Sequence, residues 1–296
     1  MADLAALQTF IAAARSGSFA AAARQLGISP AMVGRRIQAL EERYASRLIE
    51  RTTRSQRLTE LGSQFLARAE AVIAASEELD ELAQPETAPL SGRIRLSGPT
   101  TIGIKRLSLI AARFSAMHPD VVIEMSLTDR RVDLVEEGYD LAVRVGELQP
   151  STMIARRVGT YRFVCCAAPA YLARFGKPAH PDQLSRHNCV LSLLLTPRNR
   201  WAFLRPDGTP FSVPVQGNVE IDNGDALRIA ALAGAGIICS PLDLVADDLE
   251  SGALVRVLGD WALSTRPIYT IHPSRRLVPR RVTAFIEAVA EGLRNS

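Results

Sequence analysis

Three start signals and two glycine stops within the first thirty residues constrain this chain more than any other feature. Asp3, Ser18 and Ser29 each precede a run with apolar residues at helical spacing, and Gly17 and Gly27 close the first two runs. An oxygen-bearing side chain at the N-cap satisfies an orphan amide, and glycine accepts the left-handed backbone that ends a helix. The sequence therefore predicts three short helices joined by tight turns. In "DLAALQTFIAAARSGS" Leu4, Leu7, Phe10, Ile11 and Ala14 share one face, as a helix period requires. The alanines of "FAAAARQL" allow a neighbour to approach closely. At Ser29-Pro30 the proline occupies a first helical position, where its missing N–H costs nothing, and the third helix runs from Ser29 to about Tyr44. Helix, glycine turn, helix is helix-turn-helix geometry.

The third helix buries Val33, Ile37 and Leu40 and turns Ala31, Met32, Gly34, Arg35 and Gln38 outward. Small residues near its N-terminal end let such a helix enter a major groove, while Arg or Gln reaches base edges or phosphates. The neighbouring pair Arg35-Arg36 is equally compatible with a merely solvated face. The next segment of chain favours the groove: "RLIERTTRSQRL" reads as two short extended segments around Thr52-Thr53-Arg54-Ser55, with Arg51, Arg54 and Arg57 spread along them. That is a wing, well placed for phosphates or a minor groove. Charge is partitioned accordingly. Residues 1–58 hold nine arginines against four acids, whereas residues 59–92 hold one arginine against seven acids, in a chain of net charge +4. A compact basic unit followed by an acidic helix is an electrostatic footprint for a polyanion.

The acidic stretch "TELGSQFLARAEAVIAASEELDELA" carries Leu61, Phe65, Leu66, Ala69, Val72, Ile73, Leu79 and Leu82 along a seam, with Thr59 as cap. A helix of roughly 24 residues is ~36 Å long, too long to hide its stripe in a 58-residue head. The seam needs a partner, either a second copy in a coiled-coil dimer or the chain's own C-terminal domain. Pro85, Pro89 and Gly92 then mark a boundary. Beyond it the chain alternates: strand "GRIRLSG", helix "TTIGIKRLSLIAARFSAMHP", strand "VVIEMSLTD", helix "RVDLVEEG", strand "YDLAVRVG". This βαβαβ order predicts a mostly parallel sheet. Further strands are expected at "RFVCCAA", "NCVLSL", "RWAFLRP", "FSVPVQGNVEI", "GIICSP" and "PIYTIHP", with helices at "NGDALRIAALAGA", "LDLVADDLE" and "LVPRRVTAFIEAVAEGL".

From Leu4 to Gly62 the residues resemble the winged helix-turn-helix of LysR-type transcriptional regulators. The family pattern is carried by Leu7, Phe10, Gly17, Ser18, Phe19, Ala22, Ala23, Leu26, Ile28, Ser29, Pro30, Arg36, Ile37, Leu40, Glu41, Leu48, Arg51, Thr52, Arg54, Leu58, Thr59 and Gly62. Two positions depart from it: Gly34 stands where the family has a serine able to bond a phosphate, and Ala45 where it has glycine. "DRRVDLVEEGYDLAVRVGE", "APAYLARFGKP", "LAGAGIICSP" and "LVADDLESGALVRVL" are similar to the family's co-inducer domain. The resemblance implies an α/β protein: an N-terminal winged helix-turn-helix plus linker helix, then a two-lobed periplasmic-binding-protein-like effector domain. Its parts would be a DNA-binding domain at 1–58, a dimerisation helix at 59–84, a hinge at 85–92 and an effector-binding domain at 93–296. Lobe I would comprise 93–160 and 267–296, lobe II 161–266, with the chain crossing between them near Gly159 to Arg162 and Ser264 to Pro267.

The expected DNA-binding residues are Ser18, Ser29, Pro30, Ala31, Gly34, Arg35, Arg36, Gln38, Arg51, Thr53 and Arg54. Ligands of open α/β sheets sit at the carboxyl ends of strands, where helix N-termini favour anions. That selects Thr100, Thr101, Thr128, Asp129, Arg144 and Glu147, with Asn223 facing them from the other lobe; Thr196, Arg198 and Trp201 complete the candidates. For Thr101 and Asn223 plain helix capping is the competing account, and for Asp129 and Arg144 a mutual salt bridge. The resemblance implies double-stranded DNA, a small effector, a second copy through the linker helix (as dimer or tetramer) and RNA polymerase as partners. A carboxylate or an aromatic ring is a candidate feature of that effector.

Rival functions find little support. There is no G-x-S-x-G, H-E-x-x-H or P-loop, and His118, His180, His187 and His272 are scattered and expected at the surface, so a metabolic enzyme is disfavoured and no catalytic residue is assigned. "GAGI" at 234–237 follows a helix and precedes a strand, the reverse of a dinucleotide cradle. Cys165, Cys166, Cys189 and Cys239 lack C-x-x-C spacing, so no metal or cofactor is expected; they read as small apolar residues, with a redox switch as the alternative. No run approaches the ~18 apolar residues of a membrane helix, and no basic n-region precedes the apolar N-terminal stretch, so a cytoplasmic location and no membrane partner are expected. A cytoplasmic solute-binding protein would share the lobes but has no use for the wing.

Overall fold

The structure is a computed structural model that describes residues 3–51, 56–82, 85, 87–205, 207–274 and 278–294. Contacts gather the chain into two compact units. One holds the residues up to Pro89 with Asp133–Gly138 and a short stretch ending at Arg280; the other holds the remainder.

The first unit begins with α1 (Leu4–Ser16), α2 (Phe19–Leu26) and α3 (Pro30–Arg43). The caps are those the sequence predicts: the Asp3, Ser18 and Ser29 side chains accept from the amides of Ala5, Ala21 and Met32. Gly17 and Gly27 close their helices at φ 61° and 64°, a conformation glycine adopts without a Cβ penalty. Phe10, Ala13, Ala22, Ala23, Val33, Ile37 and Leu40 form one core with Leu48 and Ile49. The wing is β1 (Ile49–Arg51) paired antiparallel with β2 (Gln56–Leu58). Its entry is held by the Glu41 carboxylate, which accepts from the Leu48 and Ile49 amides at 2.9 and 3.0 Å. Its return strand is held by the Gln56 amide, which donates to the Ala13 carbonyl.

The connector is α4 (Glu60–Leu82), capped by Thr59, whose hydroxyl accepts from Gly62 N–H at 2.8 Å. Its seam divides. Phe65, Leu66, Ala69 and Ile73 pack into the head's core, helped by Arg15 of α1, which forks onto Glu70 at 2.9 Å. Leu61, Val72 and Leu79 stay exposed. The expectation that the stripe as a whole needs an outside partner is corrected in this respect, because the head is wide enough to cover the helix's first turns.

The second unit starts with β3 (Gly92–Gly98), then α5 (Thr100–Ile102), a π-helical turn (Gly103–Leu107) and α6 (Ser108–Met117) as one helical run, followed by β4 (Val121–Leu127) and β5 (Leu141–Val145). β6 (Ile154–Tyr161) leads into β7 (Phe163–Ala167), α7 (Pro169–Phe175), β8 (Leu191–Ser192), β9 (Arg200–Leu204), β10 (Pro210–Pro214) and β11 (Glu220–Ile221). The remainder is α8 (Gly224–Leu232), β12 (Ile238–Pro241), α9 (Leu242–Ser251), β13 (Val255–Val257), β14 (Arg266–His272) and α10 (Arg280–Arg294). A five-stranded sheet of order β4-β3-β5-β14-β6 makes one lobe, parallel across β4, β3 and β5. A three-stranded antiparallel sheet, β12-β7-β13, centres the other. The crossings lie side by side, with Tyr161 paired to Arg266 in the β6–β14 register.

Several local expectations are corrected. "RVDLVEEG" is a single turn rather than a helix: the Asp133 carboxylate accepts from the Val135 and Glu136 amides, and Gly138 ends the turn at φ 69°. One turn cannot repay helix nucleation. "NCVLSL" supplies only the two-residue β8. β6, β13 and α7 were not anticipated; β6 is an edge strand with a largely exposed first half, which hides its alternation. His187, expected at the surface, is buried with its ring Nδ1 3.3 Å from the Tyr171 hydroxyl.

Candidate DNA-binding head and effector cleft

The N-terminal half of α3 is the exposed edge of the head. Ser29, Pro30, Ala31 and Arg35 are exposed there, Gly34 is half-buried, and Val33 and Ile37 anchor the opposite face. Two expected contacts are already engaged within the protein. Arg36 is half-buried and donates to the Thr9 hydroxyl of α1 at 3.1 Å, so part of its guanidinium braces α3 on α1. The Gln38 amide donates to Glu42 at 2.8 Å, a bond it would exchange on meeting a base. Ser18 and Ser29 both spend an acceptor lone pair as N-caps, which leaves their hydroxyl protons for a phosphate. Thr53 and Arg54 lie outside the described residues, as does the side chain of Arg51. Arg57 is exposed on β2.

In the second unit the three parallel strands β4, β3 and β5 deliver Thr128-Asp129, Thr100-Thr101 and Arg144-Glu147 to their carboxyl ends. The Asp129 carboxylate accepts from Thr100 N–H at 3.2 Å, so the helix beginning at Thr100 already has an anion at its positive end. Arg144 donates to the Ser97 hydroxyl and the Val143 carbonyl. Asn223 is the N-cap of α8, accepting from Ala226 N–H at 3.0 Å. The two lobes touch here, since a Cβ on Gly224 would lie 2.8 Å from the Thr101 hydroxyl.

Tyr161, which sequence reasoning missed, belongs to the same cluster. It is buried on the crossing strand and shares a hydrogen bond with Thr101. Burial, and then the Asp243 and Asp129 carboxylates, raise its phenol well above the ordinary value, against the opposing pull of the Thr101 bond. Its position at the expected crossing was the available signal. Other candidates fall elsewhere. Trp201 is 2% exposed inside the core formed with Cys165, Cys189 and Phe203, so its assignment to the cleft is corrected: an indole in the middle of a strand pair packs before it binds. Thr196 is exposed beyond β8 and Arg198 pairs with Glu220, whereas Glu147 stays at the β5 end, exposed after Gly146.

Residues 4–63 match the model of the bacterial regulatory helix-turn-helix protein, lysR family, and residues 87–294 match the LysR substrate binding domain. An uncharacterized HTH-type transcriptional regulator of Haemophilus influenzae is 32% identical across 96% of this chain and 99% of its own. CrgA of Neisseria meningitidis serogroup B is 31% identical across 98% and 97%, and a solved structure of CrgA from Neisseria meningitidis superposes with a TM-score of 0.62 over 98% of both chains at 29% identity. The full-length Vibrio cholerae virulence activator AphB also gives 0.62, at 28% identity over 98% of this chain and 99% of that one. A helix-turn-helix and an effector-binding domain thus stand in the order and extent found in transcriptional regulators rather than in enzymes, and the chain belongs to the LysR family of transcriptional regulators.

Proposed function

We propose that this regulator acts in the cytoplasm as a dimer or tetramer that grips an interrupted-dyad operator and changes its grip when a small effector enters between the lobes. The working parts are residues 1–58 as the DNA-binding head, 59–84 as the pairing helix, 85–92 as the hinge and 93–296 as the effector domain, with RNA polymerase as the downstream partner. Lobe I is 93–160 with 267–296, and lobe II is 161–266. The observation that supports this reading best is the exposed start of α3, where Ser29, Ala31 and Arg35 stand clear of the core. Small residues there admit the helix to a major groove, and Arg35 has the reach and fork geometry to read guanine. Thr100, Thr101, Thr128, Asp129, Arg144 and Asn223 line the effector site in this reading, with Tyr161 at its floor.

Selection of bound fragments from genomic DNA, followed by quantitative binding, tests the docking. Arg35→Ala is expected to relax base preference at one position by ~1–3 kcal/mol, whereas Arg54→Ala weakens all sequences alike and flattens the salt slope by about one unit. Unchanged affinity and selectivity in both variants would overturn the docking of α3 and the wing.

A further inference from the structure

The lobes of the effector domain are joined by two chain crossings, and a further line of contact runs between them from the helical run after β3. At its start Thr101 meets Gly224 so closely that no Cβ fits between them. Five residues on, Arg106 forks onto Asp243 at the start of α9, Nε to one carboxylate oxygen at 3.1 Å and the terminal nitrogen to the other at 3.0 Å. Its neighbour Lys105 reaches Asp247 at 3.3 Å. The two pairs differ in weight. Asp247 is 82% exposed, so its bridge is a solvated one that contributes little. Arg106 and Asp243 keep only 31% and 30% of their side-chain surface, and a two-bond fork is the strong geometry for such a pair.

The backbone that carries Arg106 is unusual. Gly103–Leu107 form a π-turn, one residue wider than the α-helix on either side, a feature that costs hydrogen-bond quality and recurs at functional positions. It is wedged against the carboxyl end of β4, where a Cβ on Gly103 would sit 2.2 Å from the Leu127 side chain. Leu127 immediately precedes Thr128 and Asp129, and Asp129 holds the first amide of the same helical run. Thr100, Thr128 and Asp129 are therefore linked through the Asp129–Thr100 bond and the Leu127–Gly103 contact to the turn that presents Arg106.

We propose that the Arg106–Asp243 pair is an interlobe latch, and that the π-turn is the lever by which occupancy of the cleft releases or tightens it. The coupling to an effector rests on the proposed effector cleft; the latch itself does not. The test uses the full-length protein without effector, compared with Arg106→Ala, Asp243→Ala and the charge swap Arg106→Asp with Asp243→Arg. Hydrogen exchange is followed by mass spectrometry at low salt. Each single variant is expected to speed exchange of the 100–107 and 224–228 amides by roughly tenfold while α10 and the head keep their protection, and the swap is expected to restore it. Arg106→Lys, which keeps the charge and loses the fork, should fall between. The same proteins on a genomic fragment selected by the wild type should show altered footprint length or at least about threefold altered affinity in the single variants, recovered in the swap. Unchanged exchange in both single variants, or failure of the swap to restore it, overturns the latch. Altered exchange with an unaltered footprint and affinity overturns its regulatory role. Neither result bears on whether Thr101 and Asn223 hold an effector, so the two readings fail separately.

Discussion

Gly34 and Gly62 lie in the same head, yet opposite constraints act on them. At Gly62 an added Cβ would come within 2.0 Å of the Leu48 carbonyl oxygen, and that oxygen belongs to the backbone entering the wing, which also accepts from Thr59 N–H. Nothing there can move without shifting the strand. Gly62→Ala is expected to lower head stability by about 1–3 kcal/mol through overpacking, read as a lower urea midpoint with an unchanged slope. At Gly34 the nearest atom to an added Cβ is the Phe19 ring, 4.0 Å away. Gly34→Ala should raise stability by about 0.8–1 kcal/mol from helix propensity alone. A loss at Gly34 would mean that α3 is closer to its neighbours than these distances allow. The glycine at this position is thus not imposed by packing against a Cβ, since the nearest neighbour stands at van der Waals distance.

At the scale of elements, the parts written in local chemistry were legible and the parts decided by neighbours were not. Asp3, Ser18, Ser29, Thr59 and Asn223 all cap the helices they were expected to begin, because an N-cap bond depends on three or four consecutive residues. The reach of Arg36 to Thr9 and the burial of Trp201 depend on residues far along the chain or across a strand pair, which spacing alone cannot reveal. α4 shows both sides. Its helix was plain from the sequence, but only the structure separates the turns that serve the head from those left over. Leu61, Val72 and Leu79 are spaced by eleven and seven residues and lie on one face, within about 20° of each other at 100° per residue. A stripe of that kind on an acidic helix is what a second copy would cover. Val72→Glu with Leu79→Glu should weaken self-association at least about tenfold, measured by sedimentation, while the head's own melting transition stays in place. A chain that remains equally associated would move the pairing surface off α4.

On the scale of the whole molecule, three of the four buried cysteines, Cys165, Cys166 and Cys189, make stability fall as pH rises. All four are buried in the lobe built on β7. Burial pushes the Cys166 thiol up to about 12, with Cys239 and Asp248 adding to it, and the Cys189 thiol up to about 12, with Cys239 adding. Cys165 is raised as well, first by burial and then by its hydrogen-bonded neighbour Cys239 across the β7–β12 pair. These thiols are neutral in the folded protein at pH values where an unfolded thiol, with a pKa of about 8.5, has ionised. Their contribution is therefore fully present below about pH 8.5 and is lost as pH rises toward the folded values, by up to about 1.4 kcal/mol per thiol for each pH unit. The buried Tyr161 phenol adds a loss of the same sign above about pH 10, the ordinary phenol value. Urea unfolding at pH 7.5 and 10 should show this fall, and Cys189→Ala should make it shallower. In the native protein at pH 8 an aromatic disulfide reagent should leave the four thiols untouched and titrate them only after unfolding, because all four are buried away from it and reactivity requires access. Rapid labelling of the folded chain, or a Cys165–Cys239 disulfide formed by peroxide without loss of structure, would instead make the pair a redox switch and end the apolar reading of the cluster.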